Sequence, residues 1–154
     1  MIVVDANIVI YLVCQTPWTD LAQQVYSADG DWLVPELWEP EVLNGLMVMK
    51  RGGLLGLEDA IRAWSNASDL LAGRVRKCDP PSVLRTADRD RLSAYDAQYV
   101  TLARSLGVKV VTEDRLIKQN CADVARSLRV FLGLPEDTSV VREKRAIYRT
   151  RRKR

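Results

Sequence analysis

Ile2-Val3-Val4-Asp5-Ala6-Asn7, at the start of the chain, and Val108-Lys109-Val110-Val111-Thr112-Glu113-Asp114, near its end, decide the reading of the fold. Each opens on a short apolar run suited to a buried strand, and each then reaches an aspartate beside the start of a helix. After Asn7, Ile8 to Val13 reads as a short apolar helix, and Asp114 opens another that runs to about Asn120. Between the two stretches the pattern alternates. Trp18 to Ala28 has amphipathic helical spacing, and Trp32-Leu33-Val34 is a second strand. Pro35 to Arg51 is mostly helical and stops at Gly52-Gly53, and Leu57 to Leu71 is a further amphipathic helix. Lys77 to Arg91 is polar and contains Pro80-Pro81, with Val83-Leu84 as a short edge strand. Ser93 to Leu106 is a helix stopped by Gly107. A weak strand near Asp123-Val124 and a short helix over Ser127–Leu132 come before Gly133 and Pro135. Strands separated by helices, with no tight hairpin signal between them, predict an α/β fold with a short parallel sheet flanked by helices.

Composition narrows the chemistry. A chain of 154 residues favours one domain. The sequence has no histidine, which removes Ser-His and Cys-His triads and the usual zinc ligands. Its three cysteines, Cys14, Cys78 and Cys121, are far apart and form no CxxC pair, so no zinc site or disulfide framework is indicated. Hydrolytic chemistry here must rest on carboxylates, lysine or a hard metal. No apolar run approaches the roughly 18 residues of a membrane span, and the N-terminus lacks a signal-peptide core, so a cytoplasmic protein is expected.

Charge is divided unevenly. Residues 142–154 hold eight Lys/Arg and one acid, whereas residues 1–141 hold 15 basic and 19 acidic side chains. The expected organisation is a mildly acidic domain over 1–134 and a basic C-terminal extension over 135–154. The tail reads either as a solvated terminus or as an electrostatic arm for nucleic acid, whose phosphate contacts would release counterions.

Four acids stand out. In open α/β sheets, ligand sites lie beyond the carboxyl ends of the strands. Asp5 ends the first strand, and Asp114 lies three residues past the strand over 108–111. Asp96 shares a helix face with Val100 and Ala103, and Glu41 shares one with Leu37, Gly45 and Val48. Each acid also has a structural reading. Asp5 and Asp114 could cap the helices after them. Ser93-Ala94-Tyr95-Asp96 fits a capping box, and Glu41 could be a solvated helix residue. Together, four carboxylates in one pocket would repel. At an effective dielectric of about 20 and a separation of about 6 Å, each pair costs roughly 3 kcal/mol. A divalent cation would relieve this directly, and oxygen-only ligands select Mg²⁺ or Mn²⁺.

These residues carry a resemblance. Val3-Val4-Asp5-Ala6-Asn7, Val34-Pro35-Glu36-Leu37 leading to Glu41-Val42-Leu43-Asn44, Leu92-Ser93-Ala94-Tyr95-Asp96-Ala97 and Val111-Thr112-Glu113-Asp114-Arg115-Leu116 occur in the order found in PIN-domain ribonucleases. Ala125-Arg126-Ser127-Leu128 before Val130-Phe131-Leu132 is similar to that family's ending. The chain most resembles the VapC toxins of toxin–antitoxin pairs. The resemblance implies a single PIN-like domain with catalytic acids at Asp5, Glu41, Asp96 and Asp114, three of which (Asp5, Asp96 and Asp114) hold the metal. It also implies a polar helper near Asn7 and a hydroxyl near Thr112. Mg²⁺ or Mn²⁺ as cofactor, RNA as substrate, a homodimer and a small inhibitory antitoxin complete the expectation.

Two features depart from the family pattern: the basic tail, and Pro40 immediately before Glu41. Proline fits a helix only in its first turn, which leaves Glu36 and Glu39 as alternatives to Glu41. Arg89, Arg91 and Arg115 are candidate phosphate contacts, and Trp38, Met47 and Trp64 are candidate partner contacts. The rival functions are a housekeeping nuclease acting in RNA processing or on DNA, and a non-catalytic PIN scaffold. A phosphoacceptor receiver domain would need a lysine near the late strand, and neither Lys109 nor Lys118 fits.

Overall fold

A computed structural model describes residues 1–136. The basic segment 142–154 and nearly all of the extension 135–154 lie outside the described residues. Five strands, β1 (Ile2–Val4), β2 (Trp32–Pro35), β3 (Val75–Arg76), β4 (Val110–Val111) and β5 (Ala125–Arg126), form one sheet in the order β3-β2-β1-β4-β5. Every neighbouring pair is parallel. Val3, Val4, Val34, Val110 and Val111 are wholly buried. Branched apolar residues without polar alternation are what strands covered on both faces require.

Eight helices cover the sheet among the described residues: α1 (Ala6–Val13), α2 (Thr19–Ala28), α3 (Trp38–Arg51), α4 (Leu57–Leu70), α5 (Pro80–Asp90), α6 (Ala94–Leu106), α7 (Arg115–Asn120) and α8 (Leu128–Phe131). The α1 helix packs on α2, α3 and α4. Its close approach to α3 uses Gly45, where an added Cβ would come within 2.3 Å of Ile10 Cδ1. The α6 helix lies against β1, β2 and β4 and also packs on α5. At its end, Gly107 adopts φ +66°, the left-handed conformation that closes a helix without a Cβ penalty. Among the described residues no helix is long and apolar enough to cross a membrane.

Two local expectations are corrected. Val83 and Leu84 lie within α5 and not on an edge strand. Asp79 caps this helix by accepting from the Ser82 N–H, and Pro80 and Pro81 occupy the first turn, where no N–H is needed. The proline pair therefore starts a helix instead of breaking one. The edge strand is β3, eight residues earlier, formed by Val75 and Arg76. The last strand is Ala125–Arg126, two residues beyond the expected position. Pro40 sits at the third residue of α3, within its first turn.

The helical assignment of α5 makes its two central apolar residues unequal, since Val83 is buried and Leu84 is exposed. Val83→Ala removes two buried carbons and is expected to destabilise by about 2 kcal/mol at roughly 0.8 kcal/mol per carbon. Leu84→Ala should stay within about 0.5 kcal/mol of the parent. Urea unfolding of both variants checks this, and the reverse ranking would contradict the burial of Val83.

Candidate active site

The strand order reverses direction around β1 and β4, which are neighbours in space but 105 residues or more apart in the chain. A parallel sheet opens a crevice at such a point, beyond the carboxyl ends of the two strands. The Asp5 N–H donates to Val111 O at 3.0 Å, which fixes the residue after β1 against the end of β4.

Asp5 is 8% exposed. It occupies the N-cap position of α1, yet its side chain makes no capping bond. Oδ2 instead accepts from Asn7 Nδ2 at 2.7 Å and from the Thr112 hydroxyl. Thr112 is completely buried, and its Oγ1 also accepts from the Asp114 N–H at 2.9 Å. One hydroxyl thus links the two strand ends. Asn7 Oδ1 adds a long bond from the Glu113 N–H at 3.4 Å.

The other three acids do have structural partners. Asp114 caps α7, with Oδ1 accepting from Leu116 N at 2.8 Å and Ile117 N at 2.9 Å. Asp96 lies in the first turn of α6, where Oδ2 accepts from the Ser93 hydroxyl at 2.7 Å. Glu41 Oε2 accepts from the Tyr99 hydroxyl at 2.5 Å. In every case the recorded bonds fall on one carboxylate oxygen. No side-chain donor among the described residues reaches Asp5 Oδ1, Glu41 Oε1, Asp96 Oδ1 or Asp114 Oδ2. The only fully buried side-chain oxygen or nitrogen without a partner among those residues is Thr101 Oγ1, so Asp5 Oδ1 keeps some access to solvent.

Electrostatics ties the four acids together. Burial pushes the Asp5 carboxyl up to about 7, the Thr112 bond opposes this, and the charges of Glu41, Asp114 and Asp96 raise it further. Burial also raises Glu41; the Tyr99 bond lowers it, and Asp96 raises it again. Asp5 is within electrostatic reach of the three other acids, and Glu41 of Asp96, but among the described residues no three stand close enough to form a finished metal cage. The donor set nevertheless fits a hard divalent cation: it is all carboxylate, mutually repelling, and supplies one free oxygen from each side chain. Asp5, Asp96 and Asp114 would hold the ion.

The choice among three glutamates has a structural answer on placement. Glu36 and Glu39 are exposed, while Glu41 is half-buried and joined to Tyr99. Its expected face is only partly correct, because the buried stripe of α3 is Trp38, Val42 and Leu46, with Val48 exposed. Tyr99 was not foreseen. Its signal was its position three residues after Asp96, among the inward-facing Val100 and Ala103. Of the arginines, Arg89 is engaged by both Asp90 oxygens at 3.0 Å, whereas Arg91 and Arg115 are exposed and have no ion pair among the described residues. Trp38 is withdrawn as a partner contact: it is 5% exposed and stacks on Trp64 at 5.2 Å between ring centres.

The PIN domain family matches residues 2–122, four-fifths of the sequence. The chain belongs to the PIN domain family. PIN domains are in general metal-dependent nucleases. Among solved structures the chain is similar to PAE2754 from Pyrobaculum aerophilum, with 22% identity, a TM-score of 0.68 and 85% of each chain covered. It is also similar to FitAB bound to an IR36 DNA fragment, at 16% identity and TM-score 0.63, covering 83% of this chain and 95% of that one. FitAcB from Neisseria gonorrhoeae gives 19% identity and TM-score 0.62, with 81% and 95% covered. At these identities the likeness concerns the fold. No curated protein matches by sequence.

The raised Asp5 carboxyl dictates a pH dependence for the metal-free PIN domain. Between its ordinary value of 3.8 and about 7, the unfolded chain has released the proton that the folded state retains. Stability from this group is therefore full below about pH 3.8 and is lost as pH rises through about 7. Asp79, held low by its Ser82 bond, and Asp123, held low by its Arg104 bond, act in the opposite sense but below that window. In EDTA, Asp5→Asn should gain in Tm relative to the parent as pH rises from 4.5 to 7.5. A gap that stays constant with pH would contradict the burial of Asp5.

Proposed function

We propose that this PIN domain is a Mg²⁺- or Mn²⁺-dependent endoribonuclease, and that it is the toxin of a toxin–antitoxin pair. The observation that carries the nuclease reading is Asp5. It is a buried acid at the crevice between β1 and β4, its helix-capping capacity is unused, and three further carboxylates act on it. A fold has no structural need for such repulsion, and a bound cation turns it into attraction.

Each side chain has a distinct task in this reading. Asp5, Asp96 and Asp114 would hold the metal, and one oxygen of each is fixed by Thr112 and Asn7, by Ser93, and by the first turn of α7. When bound, the ion supplies Lewis-acid polarisation of the scissile phosphate and lowers the pKa of an attacking water. Glu41 uses Oε1 to orient that water and accept its hydrogen bond, with Oε2 kept in place by Tyr99. Arg91 and Arg115, exposed and without an ion pair among the described residues, are candidates to contact backbone phosphates.

The partner expectation changes with the burial of Trp38. A small antitoxin would meet exposed apolar side chains of α3, α4 and their connection: Val48, Leu54, Leu57 and Ile61. A homodimer and a cytoplasmic location complete the proposal. DNA belongs in the same assays, because the similar FitAB structure is of a DNA-bound protein.

Asp96→Asn is the decisive variant. Asparagine can still accept from Ser93, so the start of α6 is preserved and one repelling charge is lost. Cleavage of RNA should fall by more than the roughly 100-fold seen when only a supporting partner of a metal ligand is lost. Tm in EDTA should be equal or higher. EDTA should abolish wild-type cleavage and added Mn²⁺ should restore it. Full activity of Asp96→Asn would remove this carboxylate from the site.

A further inference from the structure

We propose that Tyr99 is a positioning residue for Glu41: by occupying Oε2 it aims the single free oxygen, Oε1, at the cluster formed with Asp5 and Asp96. This rests on the carboxylate-site reading given above and extends it to a residue outside the acid set.

Tyr99 lies in α6, one turn beyond Asp96, and is 1% exposed. A buried phenol needs a partner for its hydroxyl, since an unpaired buried donor is costly. Its partner is Glu41 Oε2, 58 residues earlier in the chain and on a different helix. The α3 and α6 helices are not among the extensively packed pairs of the fold. The bond therefore sets where the Glu41 carboxylate stands relative to the helix that carries Asp96.

Glu41 follows Pro40 in the first turn of α3, and its N–H donates to Leu37 O at 3.4 Å. Oε2 is bonded and no side-chain donor among the described residues reaches Oε1. One oxygen is thus held by protein and the other is presented. Residues that orient metal-site groups in this way typically contribute 10- to 100-fold in metal affinity or activity.

Tyr99→Phe keeps the ring and removes only the hydroxyl. Circular dichroism and thermal unfolding establish that the variant is folded. Mn²⁺ affinity, measured by calorimetry without RNA, and kcat for RNA are then compared with the parent, with KM as a control. The expected result is a fall of roughly 10- to 100-fold in Mn²⁺ affinity, in kcat, or in both, with KM unchanged. In a Glu41→Gln background the same substitution should have no further effect. A purely structural tyrosine would lower Tm and leave both quantities within threefold of the parent, and that result overturns the proposal. If Glu41→Gln alone changes neither quantity, the fault lies with the carboxylate-site reading itself.

Discussion

The Thr112 hydroxyl donates to Asp5 and accepts from the Asp114 amide, and together with the Asp5 N–H bond to Val111 O it ties the ends of β1 and β4 to the acids that follow them. The rest of the site depends on this junction. The two strands are distant in sequence, and only a parallel sheet in the order β3-β2-β1-β4-β5 makes them neighbours. Both then end at the same edge, so the residues that follow them share one crevice. The α6 helix packs on both β1 and β4 and brings Asp96 to that edge, while α3 brings Glu41. Neutralising acids at such a place would be simpler for stability than retaining them.

Each acid is held through one oxygen. For Asp5, Asp96 and Glu41 the donor is a hydroxyl or amide side chain, and for Asp114 it is backbone N–H. Neutral donors orient a carboxylate and leave its charge uncancelled. An arginine or lysine at the same positions would have stabilised the apo-protein and competed with a cation. Two basic side chains are engaged elsewhere: Arg104 bridges Asp90 and Asp123, and Lys118 pairs with Glu113 at 3.0 Å.

Much of this was legible in the sequence because it depends on local pattern. The apolar runs at Ile2–Val4 and Trp32–Val34 and the helix ended by Gly107 need only hydrophobic period and a left-handed glycine. Asp5 and Asp114 stood out as candidates because strand ends are the places where α/β sheets put ligands. What was missed depends on contacts between distant segments or on competing local signals. Val83-Leu84 carries strand-like residues, but Asp79 and the two prolines set the first turn of a helix. Tyr99 looked like a core aromatic, and its hydroxyl acquired meaning only when α3 placed Glu41 beside it. Trp38 looked like a surface anchor, and it is buried by stacking on Trp64 of α4.

The central claim is that the junction of β1 and β4 is a cation site. Diffraction from crystals soaked in Mn²⁺, collected where manganese scatters anomalously, locates the ion without reference to activity. The account predicts the strongest anomalous peak in direct contact with Asp5 Oδ1 and the free oxygens of Asp96 and Asp114, and the loss of that peak in Asp5→Asn. Manganese bound elsewhere, with none at Asp5, would contradict it.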